Sequence, residues 1–332
     1  MSILLVSLPV LAVIVLANLI TARGGNGARL AFNLLLFVAH ALLLAVGVAI
    51  LVRPALWLTV ATGQELLGSA TVGPALVGIG LWGMLVTLKP ARRALARVLP
   101  ALEPESPVHT LALVAVGYLL GNAALSLAPG ALDALAAGVE VTVLDVLGQQ
   151  FVFVLAAFAG AGLLTRREPA ALNERLGLTR PTAAQVWTGI RWMVFFVFLQ
   201  GCISITWTLL DPTQAEQLSG VNEALLGSFD TVWEWFLLAA AAGLGEELLF
   251  RGALQPIFGI LPTSLIFAVS HVQYGLSPAT LAIFLLSVIL GIIRRRSNTT
   301  VAIIVHAGYN FILGLISLLA VYLQSVVSQG GF

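Results

Sequence analysis

Ten apolar runs dominate the chain, at residues 3–20, 30–52, 69–88, 107–128, 138–165, 186–210, 232–255, 262–274, 279–293 and 300–323. A helix needs about 20 apolar residues to cross a bilayer, and most of these runs are near or above that length. The run at 262–274 is short, and predicts a half-span or one part of a broken helix shared with its neighbour. The apolar positions do not alternate with polar ones as barrel strands require, and backbone groups in lipid must be satisfied internally, so the runs read as helices. The predicted fold class is all-α, a polytopic transmembrane helix bundle of eight to ten helices.

The polar stretches between the runs carry a second pattern. Basic residues fill every other one: Arg23 and Arg29; Lys89, Arg92, Arg93 and Arg97; Arg166, Arg167, Arg175 and Arg180; Arg294, Arg295 and Arg296. The intervening stretches hold few: Arg53 in 53–68, none in 129–137, and only acids (Asp211, Glu216, Glu223, Asp230) in 211–231. By the positive-inside rule the basic loops are cytoplasmic and the N-terminus is outside, in a multi-pass protein of the cell membrane. The first run has no basic residue before it and reads as a retained span, not a cleaved signal. Trp57, Trp187, Trp233 and Trp235 lie near run ends, where interface anchors are expected. The stretch 166–185, with Pro169, Pro181 and mixed charges, predicts a short amphipathic surface helix and the main boundary: an N-terminal membrane region over 1–180 and a second unit over 181–332.

Composition narrows the class. Of 332 residues, 59% are hydrophobic and 9% charged, with net charge +1. Ordinary soluble domains are about 45–50% apolar and 25% charged. A soluble enzyme, a disordered chain and a nucleic-acid binder are excluded; the bilayer is the first partner. Cys202 is the only cysteine, so neither an internal disulfide nor a thiolate metal cluster forms, and it reads as a small buried residue. No strong internal repeat is visible, which gives a transporter of two similar halves no support.

Ionisable groups at depth are costly in a membrane and therefore informative. They concentrate in the last hundred residues. Glu246, Glu247 and Arg251 fall inside one apolar stretch. Adjacent helical residues point about 100° apart, so the two glutamates do different work. Glu247 and Arg251 are i,i+4 and form a fixed pair. Glu246 is the acid left over, and an unpaired carboxylate in a low-dielectric site suits a general base. Gly243, one turn earlier, allows close approach of another helix. Downstream lie Phe267-Ala-Val-Ser-His271 and His306-Ala-Gly-Tyr-Asn310, the latter pair stacked on one helix face. Glu246, His271, His306 and Asn310 thus predict one site built from three helices. His40 and His109 read as structural. Asp145 and Gln149–Gln150 are left open between lining a cavity and making a helix contact.

In order along the chain, Glu246-Glu247-Leu-Leu-Phe-Arg251, Phe267-x-x-x-His271 and His306-x-x-x-Asn310 resemble the EExxxR, FxxxH and HxxxN motifs of the CPBP intramembrane protease family, the CAAX-protease, bacteriocin-processing or Abi type. The resemblance covers about residues 232–320. It implies that Glu246 and His271 activate a water, that His306 and Asn310 coordinate a metal or stabilise an oxyanion, and that Glu247 and Arg251 support the site. The implied activity is an intramembrane metalloendopeptidase acting on a membrane-associated protein or peptide near one membrane face. Prenylated CaaX proteins are the substrates of one family branch. Two histidines and a carboxylate (Glu246, His271, His306) suit Zn2+ with an open position, although the HExxH motif is absent; a metal-free glutamate mechanism is the alternative. Gly-x-Ser-x-Gly is absent, which argues against a rhomboid. A proton- or metal-coupled transporter using the same three residues, and a non-catalytic scaffold with the protease fold, are the competing readings.

Overall fold

The computed structural model describes residues 2–55, 69–128, 130–131, 141–275 and 277–329. Among them the regular structure is helical, with no strand. In order run α1 (Ser2–Arg23), α2 (Asn26–Val52), α3 (Ser69–Thr87), the short α4 (Lys89–Leu95), α5 (Pro107–Ser126) and α6 (Val143–Ala161). Then come α7 (Pro169–Leu176), α8 (Ala183–Leu210), α9 (Pro212–Leu226) and α10 (Val232–Glu246). A π-helical segment (Glu247–Leu254), α11 (Gln255–Phe258), α12 (Ile260–Ser270), a 3₁₀ turn (Val272–Tyr274), α13 (Pro278–Arg296) and α14 (Thr299–Gln329) complete the bundle.

Eight of these helices are long and apolar enough to cross a membrane: α1, α2, α3, α5, α6, α8, α13 and α14. Their outward faces are large and apolar, as at Leu144, Leu209 and Leu210. On a polytopic chain such faces meet lipid tails, which is why they need no protein partner. The protein is a multi-pass membrane helix bundle. The run at 232–255 is also helical but composite, since α10 continues through the π segment into α11. The run at 262–274 is the 11-residue α12 plus the 3₁₀ turn. At 1.5 Å per residue α12 is about 16 Å long, half a bilayer core. Gly259, with φ +80°, makes the break between α11 and α12 that the short run implied.

The polar residues at helix starts do what their chemistry favours. Thr142–Asp145, Thr182–Gln185 and Thr231–Glu234 are capping boxes opening α6, α8 and α10. Asp145 is therefore an exposed cap and not a cavity residue. The acidic stretch 211–231 is mostly helix, α9, capped by Asp211 and started by Pro212. Cys202 is exposed, not buried, because it lies on an outward face of α8. Trp187 and Trp233 are exposed as anchors are; Trp235 is instead a core residue, its indole N–H donating to Phe229 O at 2.9 Å. Trp57 lies outside the described residues. His40 and His109 are held structurally: His40 Nδ1 lies 2.6 Å from Leu36 O, and His109 Nδ1 accepts from the Glu103 N–H.

Three buried clusters organise the bundle. One joins Ala17, Phe32, Val86 and Val114 of the first helices to Phe250, Phe258 and Phe267 around the π segment. A second packs Phe196 of α8 against Leu290 of α13 and Val305 of α14. The third sets Leu172 and Leu176 of α7 against Ala157 of α6 and Leu248 of the π segment. The π segment thus lies where the first helices, α6 and α7 all converge. The predicted surface helix at 166–185 exists as α7, but its apolar face is docked.

Candidate active site

The π segment is the local peculiarity from which the site is built. Pro256 has no N–H, so the carbonyl four residues earlier, Gly252 O, loses its ordinary α-helical donor. Arg175 of α7 supplies a replacement: Nη1 donates to Gly252 O at 2.7 Å and Nη2 to Ala253 O at 3.3 Å. Burial, with Arg167, Arg294 and Arg166 nearby, pushes Arg175 down to about 10, so it stays cationic at neutral pH. The glutamates occupy the junction, Glu246 ending α10 and Glu247 beginning the π segment.

Glu247 and Arg251 are both fully buried and paired, with Arg251 Nε 3.1 Å from Glu247 Oε2. Arg251 also donates to Ser287 Oγ of α13 at 2.9 Å, and its guanidinium lies 4.9 Å from the centre of the Phe267 ring. Glu247 has a second partner, His306, whose Nδ1 is 3.0 Å from Glu247 Oε1. The sequence placed His306 beside Glu246; the structure ties it to the other glutamate. Asn310, one turn further along α14, is half-buried, and its side chain makes no hydrogen bond among the described residues.

Glu246 points elsewhere, as adjacent residues must. Its Oε1 accepts from Gln150 Nε2 of α6 at 3.2 Å. Its Oε2 is buried without a hydrogen-bond partner and lies 4.0 Å from His271 Nε2. His271 follows the last residue of α12, with Nδ1 2.8 Å from Phe267 O. Its ring packs on Phe267 at 4.7 Å, and Phe267 packs in turn on Phe250 at 4.9 Å and His306 at 6.1 Å. The aromatic ring of the second motif is therefore the wedge that spaces the two histidines and the arginine.

A close helix approach holds this arrangement. A Cβ on Gly243 would stand 2.8 Å from Ala307 Cβ, so α14 reaches α10 only because Gly243 has no side chain. The site also has a depth. Thr299, the first residue of α14, is bound to α7's end through Thr299 N→Gly177 O (2.9 Å) and Thr299 Oγ1→Leu176 O (2.6 Å). His306 is seven residues further on, about 10 Å from the bundle end that carries the basic stretch 166–185.

Residues 228–312 match the family model of the type II CAAX prenyl endopeptidase, Rce1-like. Over this segment the chain is similar to the Rce1-like family. The segment covers about a quarter of the chain and contains all six residues singled out in the sequence, from Glu246 to Asn310. No curated protein and no solved structure matches the chain. Two residues that complete the geometry, Gln150 and Arg175, lie outside the Rce1-like segment. The first stood open in the sequence as cavity lining or helix contact; the second read only as a charge of a basic loop. Pro256, four residues after Gly252, marks a carbonyl that needs a donor, but nothing in the sequence names the donor.

Of the predicted metal ligands, Glu246 and His271 face each other, while His306 is engaged with Glu247. Among the described residues no three His, Cys, Asp or Glu side chains form a group that could hold a metal ion.

Proposed function

We propose that this protein is an intramembrane endopeptidase of the CAAX type, hydrolysing a peptide bond of a membrane-associated protein or peptide. The observation that carries this reading is the free, buried Oε2 of Glu246 set 4.0 Å from His271 Nε2. That separation is too long for a direct hydrogen bond and suits one water bridging the two.

In the proposed reaction Glu246 removes a proton from this water while His271 orients it. The oxygen adds to the scissile carbonyl carbon, and the negative charge moves to the carbonyl oxygen. Asn310, whose amide is free of the bundle, donates a hydrogen bond to that oxyanion, and His306 presents Nε2 on the same helix face. Glu246 then returns the proton to the amide nitrogen as the C–N bond breaks, releasing a carboxylic acid and an amine, and the acid's proton passes to the amine to leave a carboxylate and an ammonium. Exclusion of bulk water strengthens each of these electrostatic contributions. Glu247 and Arg251 hold His306 and the π segment and take no part in proton transfer.

Zinc belongs to the proposal by donor type. Both histidines are anchored through Nδ1, one by a carboxylate and one by a backbone carbonyl, which leaves Nε2 as the nitrogen available to a metal. If brought together with Glu246 these are donor types that would hold Zn2+, which would supply a bound water of lowered pKa. The three are not drawn together in this arrangement, and every step above is carried by side chains alone.

The site lies about two helical turns from the basic end of the bundle, which the charge pattern assigns to the cytoplasm. Cleavage is therefore expected near the cytoplasmic face. The test compares protein termini in membranes holding equal amounts of the wild type or Glu246→Ala, together with cleavage of a farnesylated peptide ending in a CaaX sequence. New termini that vanish in the variant establish proteolysis; their sequences and the farnesylated peptide show whether the substrate is prenylated. Identical termini with the variant fully inserted refute the protease reading, and ion flux in proteoliposomes then tests transport. Zinc at one per chain, lost on substitution of Glu246, His271 or His306, would add the ion to this scheme.

A further inference from the structure

The Rce1-like segment does not account for everything that touches Glu246. We propose that Gln150, from α6 in the N-terminal region, is a positioning residue of the site: it holds the Glu246 carboxylate through Oε1 so that Oε2 alone faces the reacting water. This rests on Glu246 being the base.

Four observations carry it. Gln150 Nε2 donates to Glu246 Oε1 at 3.2 Å, across helices far apart in sequence. The residue is 6% exposed, so this hydrogen bond has no competition from bulk water. The amide orientation is dictated by chemistry. The flipped amide would set its oxygen against a carboxylate oxygen, acceptor against acceptor, so the N–H must face Glu246. Finally, the approach of the two helices is built for this contact. A Cβ on Gly245, the residue before Glu246, would stand 2.8 Å from Gln150 O and 3.1 Å from Gln150 Cα. Only glycine at 245 lets α6 come near enough for its amide to reach the carboxylate.

The geometry also says what the contact achieves. A glutamate side chain has three rotatable bonds, and Glu246 Oε2 has no hydrogen bond of its own to fix it. Besides Gln150, the structure pairs this carboxylate with His271 at 4.0 Å, and Arg251, Tyr274 and His306 lie within its electrostatic reach. Tethering Oε1 removes the rotamers that would swing Oε2 away from the water. It also denies the carboxylate a direct contact with His271 that would expel the water. Gln150 Oε1 itself is buried and unpartnered, held beside the base by the same amide.

The experiment uses the whole chain in membranes and four variants: Gln150→Met, Gln150→Asn, Glu246→Gln, and Gln150→Met combined with Glu246→Gln. Methionine keeps the length and loses the donor; asparagine keeps the donor and loses the reach. The readouts are the rate at which Glu246-dependent termini form, then kcat and KM on a synthetic peptide spanning that cut, and thermal stability. Gln150→Met and Gln150→Asn should each lower kcat by about 10²-fold, the scale of a misplaced catalytic group, with KM and melting temperature little changed. Gln150→Met added to Glu246→Gln should cost nothing more, because a positioning residue has nothing left to position. A merely structural glutamine would lower the yield of folded protein and leave kcat per folded molecule unchanged. Wild-type kcat in either folded variant overturns the inference. If Glu246→Gln still cleaves, the base assignment has failed; if it is dead while both Gln150 variants are active, only the role of Gln150 has.

Discussion

Replacing Arg251 by methionine tests the electrostatic logic of the bundle core. Arg251 and Glu247 are both 0% exposed. Methionine refills most of the aliphatic volume and withdraws the charge. Glu247 is then left buried with His306 as its remaining partner. Stranding one member of a buried ion pair costs about 3–5 kcal/mol. The same change removes the hydrogen bond to Ser287 and the contact with the Phe267 ring. These overlap with the pair energy and are not added to it. Glu247→Gln should cost a similar amount by stranding Arg251. The double variant removes both charges and keeps an amide oxygen to accept from His306. It should lie within about 1–2 kcal/mol of the wild type, because two well-packed neutral groups often do as well as a buried pair. Reversible unfolding of the purified protein in mixed micelles, followed by tryptophan fluorescence, gives the three values. Single variants within about 1 kcal/mol of the wild type, or a double variant equal to the sum of the singles, would refute the reasoning.

Other expectations follow from the close helix contacts. Gly243→Val drives a side chain into Ala307, whose Cβ would be 2.8 Å from the first added carbon. Stability should fall by about 1–3 kcal/mol from overpacking, and cleavage should fall further because Ala307 adjoins His306. A fully active, wild-type-stable Gly243→Val would show that α10 and α14 are not packed this way. Arg175→Met leaves Gly252 O without the donor that Pro256 cannot provide. It should cost about 1–3 kcal/mol and raise hydrogen exchange across residues 247–254 specifically, measured by mass spectrometry. Unchanged exchange there would separate α7 from the π segment.

Much of this protein is legible in its amino-acid order alone. Runs of apolar residues without strand alternation leave helices as the only way to satisfy the backbone in lipid, and each of the ten runs holds a helix among the described residues. The division between Glu246 and Glu247 is legible for a similar reason, since neighbours on a helix cannot face the same way. Even the break near 262–274 shows as a run too short to span.

Tertiary structure decided what those residues meet. Nothing local distinguishes His306 beside Glu246 from His306 bound to Glu247. That choice is made by Gly243, which sets how closely α14 lies against α10. The π segment is invisible in the sequence for the same reason: the Gly252 carbonyl, which Pro256 cannot serve, meets Arg175 of α7 only in the folded bundle. Gln150 and Glu246 are 96 residues apart, and only the packing of α6 on Gly245 makes them neighbours. Sequence patterns record which face of a helix is apolar and which groups are chemically costly. Which costly groups satisfy one another is a property of helix–helix packing, and it is set by small residues whose importance shows only once the helices are together.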